Sequence, residues 1–359
     1  MINLISLRKQ MFHMHQRFFL TILLAIGYSV SLFAQYTDEL NSNRPGSSQG
    51  AFSVGTKVLQ FEAGLSLGKE DHRLVFTETD AFMIDYAVRY GVWKEALEVS
   101  IMGSFQNNNV GDTRMTAQET SFSNFRSNTI GAKYLLFDPY LRMEKKGPNL
   151  YSWKANRKIQ WADFIPAVSL YAGLNIDFIE DPEGKFVNNT RPGVNSIGLS
   201  PKVVLATQNN FVGGFVLVTN IYANRVTDDA KQYGYVVTLT HTPTSWFSIF
   251  VENEGFKGDT YADQLFRGGA AALLSPNFQV DASVLLNFKD TPNRTYGRIG
   301  VSYRIDRHED EEFIEDKGAD ARKEKRDKKN KNKDAKKAKK KKRKDGVDPE
   351  QEEDDGGKL

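Results

Sequence analysis

From Ser53 to Ile305 the sequence alternates apolar and polar or small residues with a period of two, in about twelve stretches of roughly ten residues each. Phe278, Val280, Ala282, Val284, Leu286 and Phe288 alternate with Gln279, Asp281, Ser283, Asn287 and Lys289. Leu59, Phe61, Ala63, Leu65 and Leu67 do the same against Gln60, Glu62, Gly64, Ser66 and Gly68. Successive side chains of a strand point to opposite faces, so each stretch has one greasy face and one wet one. The expected strands are 53–67, 81–93, 96–106, 124–137, 163–179, 197–207, 211–223, 232–241, 246–256, 264–274, 278–289 and 295–305. The seventh is ambiguous, because Phe215, Leu217 and Ile221 compete with Val212, Val216 and Val218 for the outer face, and its register is open.

The connections alternate too. Trp93–Ala96, Gln208–Asn210, Thr242–Ser245 and Ser275–Asn277 read as tight turns. Between them fall longer polar links at 68–80, 107–123, 180–196, 224–231, 257–263 and 290–294. Short periplasmic turns alternating with longer extracellular loops are the pattern of a transmembrane barrel. One link departs from it: Asp138–Asp163 falls where a short turn is expected, yet is long and basic, with Lys145, Lys146, Lys154, Arg157 and Lys158.

A soluble β-sandwich also alternates, with its apolar face inside. Three features favour a membrane. The stretches match the roughly 9–11 residues that cross a bilayer at a tilt. Aromatic residues gather where stretches end, among them Trp161, Phe164, Phe178, Tyr233, Tyr235, Trp246, Phe247 and Tyr303, as interfacial girdles require. The third is an export signal: Arg8, Lys9 and Arg17 precede the apolar run Phe18–Ala34, and no acid occurs before Asp38. Cleavage is expected after Ala34, with Leu32 an unusually large residue three positions before the cut. The competing reading is a retained anchor, for which the run is short. Met11 or Met14 is an alternative start.

Composition narrows the chemistry. With no cysteine, the chain has no disulfide scaffold, no thiolate zinc site, no thiol nucleophile and no lipoprotein cysteine. A mean hydropathy of −0.49 argues against a bundle of transmembrane helices. His13 and His15 leave with the signal; His72, His241 and His308 fall in a loop, at a turn and after the last strand. His241 shares the apolar parity of Tyr235, Val237 and Leu239, but at the periplasmic end, where a lipid-cleaving site is not expected. No run has metal-ligand spacing or a phosphate-binding glycine loop. Gly213–Gly214 and Gly268–Gly269 fit close strand packing. Neither enzyme activity nor a cofactor is expected.

On the polar parity, the inward acids are Glu62, Asp85, Glu98, Asp177, Glu252, Glu254 and Asp281. The inward bases are Arg89, Lys133, Lys202, Arg267, Lys289, Arg298 and Arg304. Such a wall has no strong single-sign field, so weak ion selectivity is expected. The structural alternative is that these charges pair across the lumen and stiffen it.

After Ile305 the alternation stops. Asp306–Asp316 is acidic, Arg322–Lys344 holds sixteen Lys and Arg against three acids, and Asp345–Asp355 is acidic again. That composition cannot bury a core and reads as a disordered tail. With an even strand number the tail lies in the periplasm, where nucleic acid is not its partner. It either pairs its own blocks or touches anionic cell-wall polymer or an acidic periplasmic protein.

The segment Asn41-Ser-Asn-Arg-Pro-Gly46, with Ser53-Val-Gly55 and Gln60-Phe-Glu-Ala-Gly64, resembles the start of the outer-membrane family named for the meta-pathway of phenol degradation. Asn149–Asn156, Ile165–Gly173 and Gly297–Tyr303 resemble later parts of it. The resemblance implies an outer-membrane barrel and a role in solute uptake, without naming phenol as the solute. It supplies no binding residues.

The chain is therefore expected to comprise a signal peptide (1–34), an N-terminal periplasmic segment (35–52), an antiparallel transmembrane β-barrel of about twelve strands (53–305) and a charged periplasmic tail (306–359). Within the 35–52 segment, the polar stretch Asn41–Gly46 either tucks into the periplasmic mouth or simply leads into the barrel. The expected function is passive passage of a small solute across the outer membrane of a Gram-negative cell. The alternative is a closed accessory barrel that anchors a periplasmic partner or the cell wall through its tail.

Overall fold

The computed structural model describes residues 40–114, 119–140, 164–177, 198–227, 231–258 and 261–308. All belong to the first of two compact units, Met1–Glu309; the second, Asp310–Leu359, lies outside the described residues. So do the expected signal, most of the 138–163 link and the charge blocks of the tail.

Twelve strands run in sequence order. They are β1 (Leu59–His72), β2 (Thr77–Gly91), β3 (Leu97–Asp112), β4 (Glu119–Phe137), β5 (Ala167–Asp177) and β6 (Gly198–Phe211). β7 (Phe215–Asn224), β8 (Gln232–Thr244), β9 (Phe247–Gly258), β10 (Ala262–Ser275), β11 (Phe278–Asn287) and β12 (Asn293–Ile305) follow. Each pairs antiparallel with its neighbours, and β1 pairs with β12 from Leu59↔Ile305 to Asp71↔Asn293, closing the sheet. Closure leaves no unpaired edge, which a hydrocarbon surrounding could not satisfy.

The alternation becomes a two-sided wall. Phe61, Leu65 and Leu67 on β1, Val284 and Leu286 on β11, and Ile299, Val301 and Tyr303 on β12 face outward and are exposed. The opposite parity on the same strands carries Gln60, Glu62, Ser66, Asp281, Ser283, Ser302 and Arg304, all buried. An outward band this apolar suits lipid rather than water.

Several expected boundaries shift. β1 starts at Leu59, not at residue 53, so 53–58 leave the barrel wall. The expected 163–179 strand is Ala167–Asp177. β6 continues through Phe211, and the turn is Val212–Gly214 rather than Gln208–Asn210, with Gly213 and Gly214 both at positive φ. β7 settles with Phe215 and Ile221 outward and Val218 and Asn220 buried inside. On the loop side the strands outrun the apolar alternation. β1 and β2 are joined by four residues, 73–76, where a link of 68–80 was expected, and β3 runs to Asp112. Alternation reports contact with lipid, and it fades where lipid ends although the hydrogen-bonded ladder continues.

Candidate functional site

We call the end where β1 begins and β12 finishes the turn end, and the other the loop end. From the turn end, residues 40–58 enter the barrel as a re-entrant loop. It starts where the Leu40 N–H donates to the Pro276 carbonyl in the β10–β11 turn (2.9 Å). It leaves beside β2, where the Gly91 N–H donates to the Val58 carbonyl (3.1 Å). Its two limbs are tied together by the Gly50 N–H donating to Asn43 Oδ1 (3.1 Å). Of the two sequence alternatives for this segment, its described part takes the inserted one.

An irregular segment enclosed in a barrel has no ladder to satisfy its backbone, so side chains must do it. The barrel wall supplies them. Glu252 accepts from the Ser47 N–H (2.9 Å) and Ser48 N–H (3.3 Å), and also from Thr238 Oγ1 (2.7 Å) and Arg267 Nη1 (2.7 Å). Asn220 grips Gln49 both ways, accepting from its N–H (2.6 Å) and donating to its carbonyl (2.8 Å). Gln208 accepts from the Ala51 N–H (3.1 Å), and Glu98 from the Val54 N–H (3.0 Å). Lys133 Nζ donates to the carbonyls of Gly50 (3.1 Å) and Phe52 (2.7 Å). Arg89, held between Glu62 and Glu98 (3.1 and 2.8 Å), donates to the Asn41 carbonyl (2.8 Å). The Phe52 ring sits in an apolar seat with Ala96, Leu135 and Ala167.

Arg44 reaches furthest from its own strand of chain. Its guanidinium forms a two-pronged pair with Asp281 (Nε–Oδ2 3.1 Å, Nη2–Oδ1 3.0 Å), and the Asp281 side chain is 0% exposed. The guanidinium lies flat over the cross-strand pair Gly64↔Gly300. A Cβ at either glycine would fall 2.2 or 2.0 Å from its nitrogens. Gly46 is likewise required, since a Cβ there would meet Glu252 Oε2 at 2.5 Å.

Between this segment and the loop-side half of the wall lies a cavity of about 220 Å³. Glu62, Asp85, Lys202 and Arg298 line it together with Arg44. Asp85 pairs with Arg298 (3.1 Å). Towards the loop end the interior turns apolar, with Met83, Phe256, Leu265, Leu285 and Tyr296 in one cluster. Above them Arg294 stands 3.5 Å from both Glu70 and Asp263.

The charged residues picked from the sequence as lumen-lining thus fall into groups. Glu62, Arg89, Glu98, Lys133, Glu252 and Asp281 meet the inserted segment, and Arg267 braces Glu252 and Glu254 (2.7 Å each). Asp85, Lys202 and Arg298 face the cavity. Lys289 does not line the wall: β11 ends at Asn287, and Lys289 is exposed in the following link, its ammonium 4.6 Å from the centre of the Tyr261 ring. Asp177 closes β5, and its side chain lies outside the described residues. Sequence reasoning missed Arg44, which belongs to no strand. It also missed Glu70, Asp263 and Arg294, whose parity is right but whose positions were assigned to links. His241 stacks on Phe215, ring centres 4.1 Å apart, and His308 lies 3.5 Å from Glu95.

A family model described as "Putative MetA-pathway of phenol degradation" matches residues 42–305. The chain belongs to this family. The match begins inside the inserted segment and ends with the last strand, so the family unit is barrel and segment together. Among solved structures, this family member is similar to an outer membrane channel from Pseudomonas putida F1 (11% identity, TM-score 0.46, covering 74% of this chain and all of that one). It is also similar to the CymD monoaromatic hydrocarbon channel (9%, TM-score 0.37, 71% and 90%) and to the KdgM porin (12%, TM-score 0.36, 67% and 98%). No curated protein matches.

Proposed function

We propose that the protein is an outer-membrane channel for small solutes whose passage is restricted by its own residues 40–58. Membership of the family and the outward apolar band support the location. The observation that carries the function is the polar chamber, bounded on one side by a segment that wall side chains hold through hydrogen bonds and ion pairs to Asn41, Asn43, Arg44, Ser47, Ser48 and Gln49. Contacts of this kind can be exchanged for water, whereas a packed apolar core could not be opened without unfolding. Passage is by diffusion, with selectivity set by the width of the path and the charges along it. The test is conductance of the purified chain in a planar bilayer, beside a variant carrying Arg44→Ala and Glu252→Ala. We expect small, infrequent openings for the parent and larger or more frequent ones for the variant. Conductance at leak level in both would sink the proposal.

A second reading is favoured by the bidentate Arg44–Asp281 pair, whose side chains are only 7% and 0% exposed. In that reading the segment is a permanent filling and the barrel is an anchor, engaging cell-wall polymer or an acidic periplasmic protein through Arg322–Lys344.

A further inference from the structure

The lumen departs from the polar interior of a barrel at one level. Towards the loop end, Ala81 and Met83 of β2, Phe256 of β9, Leu265 of β10, Leu285 of β11 and Tyr296 of β12 form one apolar cluster, with Tyr222 of β7 packed against it. Leu265 and Leu285 share the parity of the inward Arg267 and Asp281, while Phe266 and Leu286 beside them are exposed on the outside. These are therefore greasy side chains on the face that is ordinarily wet. The strands that carry the cluster, with β1 between them, are six consecutive members of the closed ring. β1 takes part through Gly68, whose missing side chain lets the Tyr296 ring lie across it; a Cβ there would fall 2.0 Å from that ring. Side chains bordering open water are wetted, yet Met83, Phe256, Leu265, Leu285 and Tyr296 are only 3–8% exposed. Where the wall continues into β3, Gln106 and Asn108, paired with Met83 and Ala81, are equally shut off from water. Over the cluster, Arg294 stands between Glu70 and Asp263, to which the Tyr296 and Tyr261 hydroxyls also donate.

We propose that this layer is a second gate: a dry collar that resists hydrated ions of either sign, in series with the segment 40–58, so that the chamber lies between two closures. The inference deepens the channel reading and rests on it. Ions are held back at a narrow apolar constriction because nothing there replaces their hydration. An uncharged solute of the same size gives up less hydration and is retarded less. The collar limits current rather than abolishing it, since the hydrocarbon side chains of Phe256, Leu265 and Leu285 can part without breaking a hydrogen bond. Gln106 Oε1 favours the parting, being buried without a hydrogen-bond partner among the described residues and gaining one when water enters.

The test is ion conductance of the full chain in a planar bilayer, with Leu265→Asn/Leu285→Asn placed in the parent and in the Arg44→Ala/Glu252→Ala variant. Asparagine makes the collar polar. Leu265→Ala/Leu285→Ala is the control, since alanine widens the path further but leaves it apolar. Heat-modifiable migration on a gel verifies each fold, and a pair that fails it is replaced by its Leu265 single variant. With the segment released, the asparagine pair is expected to raise conductance about threefold or more, and the alanine pair less. With the segment seated, the asparagine pair is expected to add little. An asparagine pair that adds nothing to the released variant, or an alanine pair that adds as much, would overturn the collar and leave the channel standing. Leak-level current in every form, the combined one included, would overturn both. A large current from the asparagine pair in the parent would uphold the collar and show that the segment is no barrier.

Discussion

Arg44 shows how much one side chain can organise. Its guanidinium needs a carboxylate, which Asp281 supplies, and a flat floor, which Gly64 and Gly300 supply by lacking side chains. Replacing Arg44 by alanine leaves Asp281 sequestered without its partner, a loss of about 3–5 kcal/mol for a buried pair. The chain has no cysteine, so Ser47→Cys creates a unique reporter within the segment. We expect maleimide to label it slowly in the parent background and much faster with Arg44→Ala. Gly300→Ala should act in the same direction while leaving the barrel folded, because the atom it strikes is the tip of a flexible side chain. Equal labelling in all three would show that the pair does not hold the segment. Arg44, Gly64 and Gly300 all lie in segments that carry the family resemblance, but their meeting was not legible in the sequence. A lone arginine in a polar stretch carries no periodicity, and the carboxylate it meets lies 237 positions away.

At the scale of strands, much more could be read. β11 follows its expected alternation closely, because lipid outside and polar groups inside select opposite side chains at every position. β7 could not be settled alone, since Val216 and Val218 are as greasy as Phe215 and Leu217. Its register is fixed by Asn220, which must face inward to hold Gln49, and the period of two then sends Phe215 and Ile221 outward. Strand ends were least legible, since polar residues beyond the lipid give no hint of the ladder. Ile299 lies midway along β12 and is exposed on the outer face. Ile299→Arg is expected to cost about 2–4 kcal/mol if that position sits at the bilayer midplane, measured by denaturant titration in lipid vesicles. Tyr303→Arg, near the turn end of the same strand, should cost about 0–1 kcal/mol. Equal costs at the two depths would argue against the membrane assignment.

For the whole molecule, the interior charges nearly cancel. Glu62, Glu70, Asp85, Glu98, Glu252, Glu254, Asp263 and Asp281 oppose Arg44, Arg89, Lys133, Lys202, Arg267, Arg294, Arg298 and Arg304. The field along the lumen is therefore small on average. In a salt gradient across a planar bilayer, the Arg44→Ala/Glu252→Ala variant should show a reversal potential near zero. A strongly cation- or anion-selective current would mean that a path lined by one sign of charge dominates.

The re-entrant segment begins beside Pro276 and finishes beside Gly91, both at one rim of the barrel. Nothing has to be threaded through the ring for it to be seated. The cylinder can be sewn shut along its β1–β12 seam before the stopper arrives, and the stopper can be drawn out on its tether and returned without any strand letting go of its neighbour.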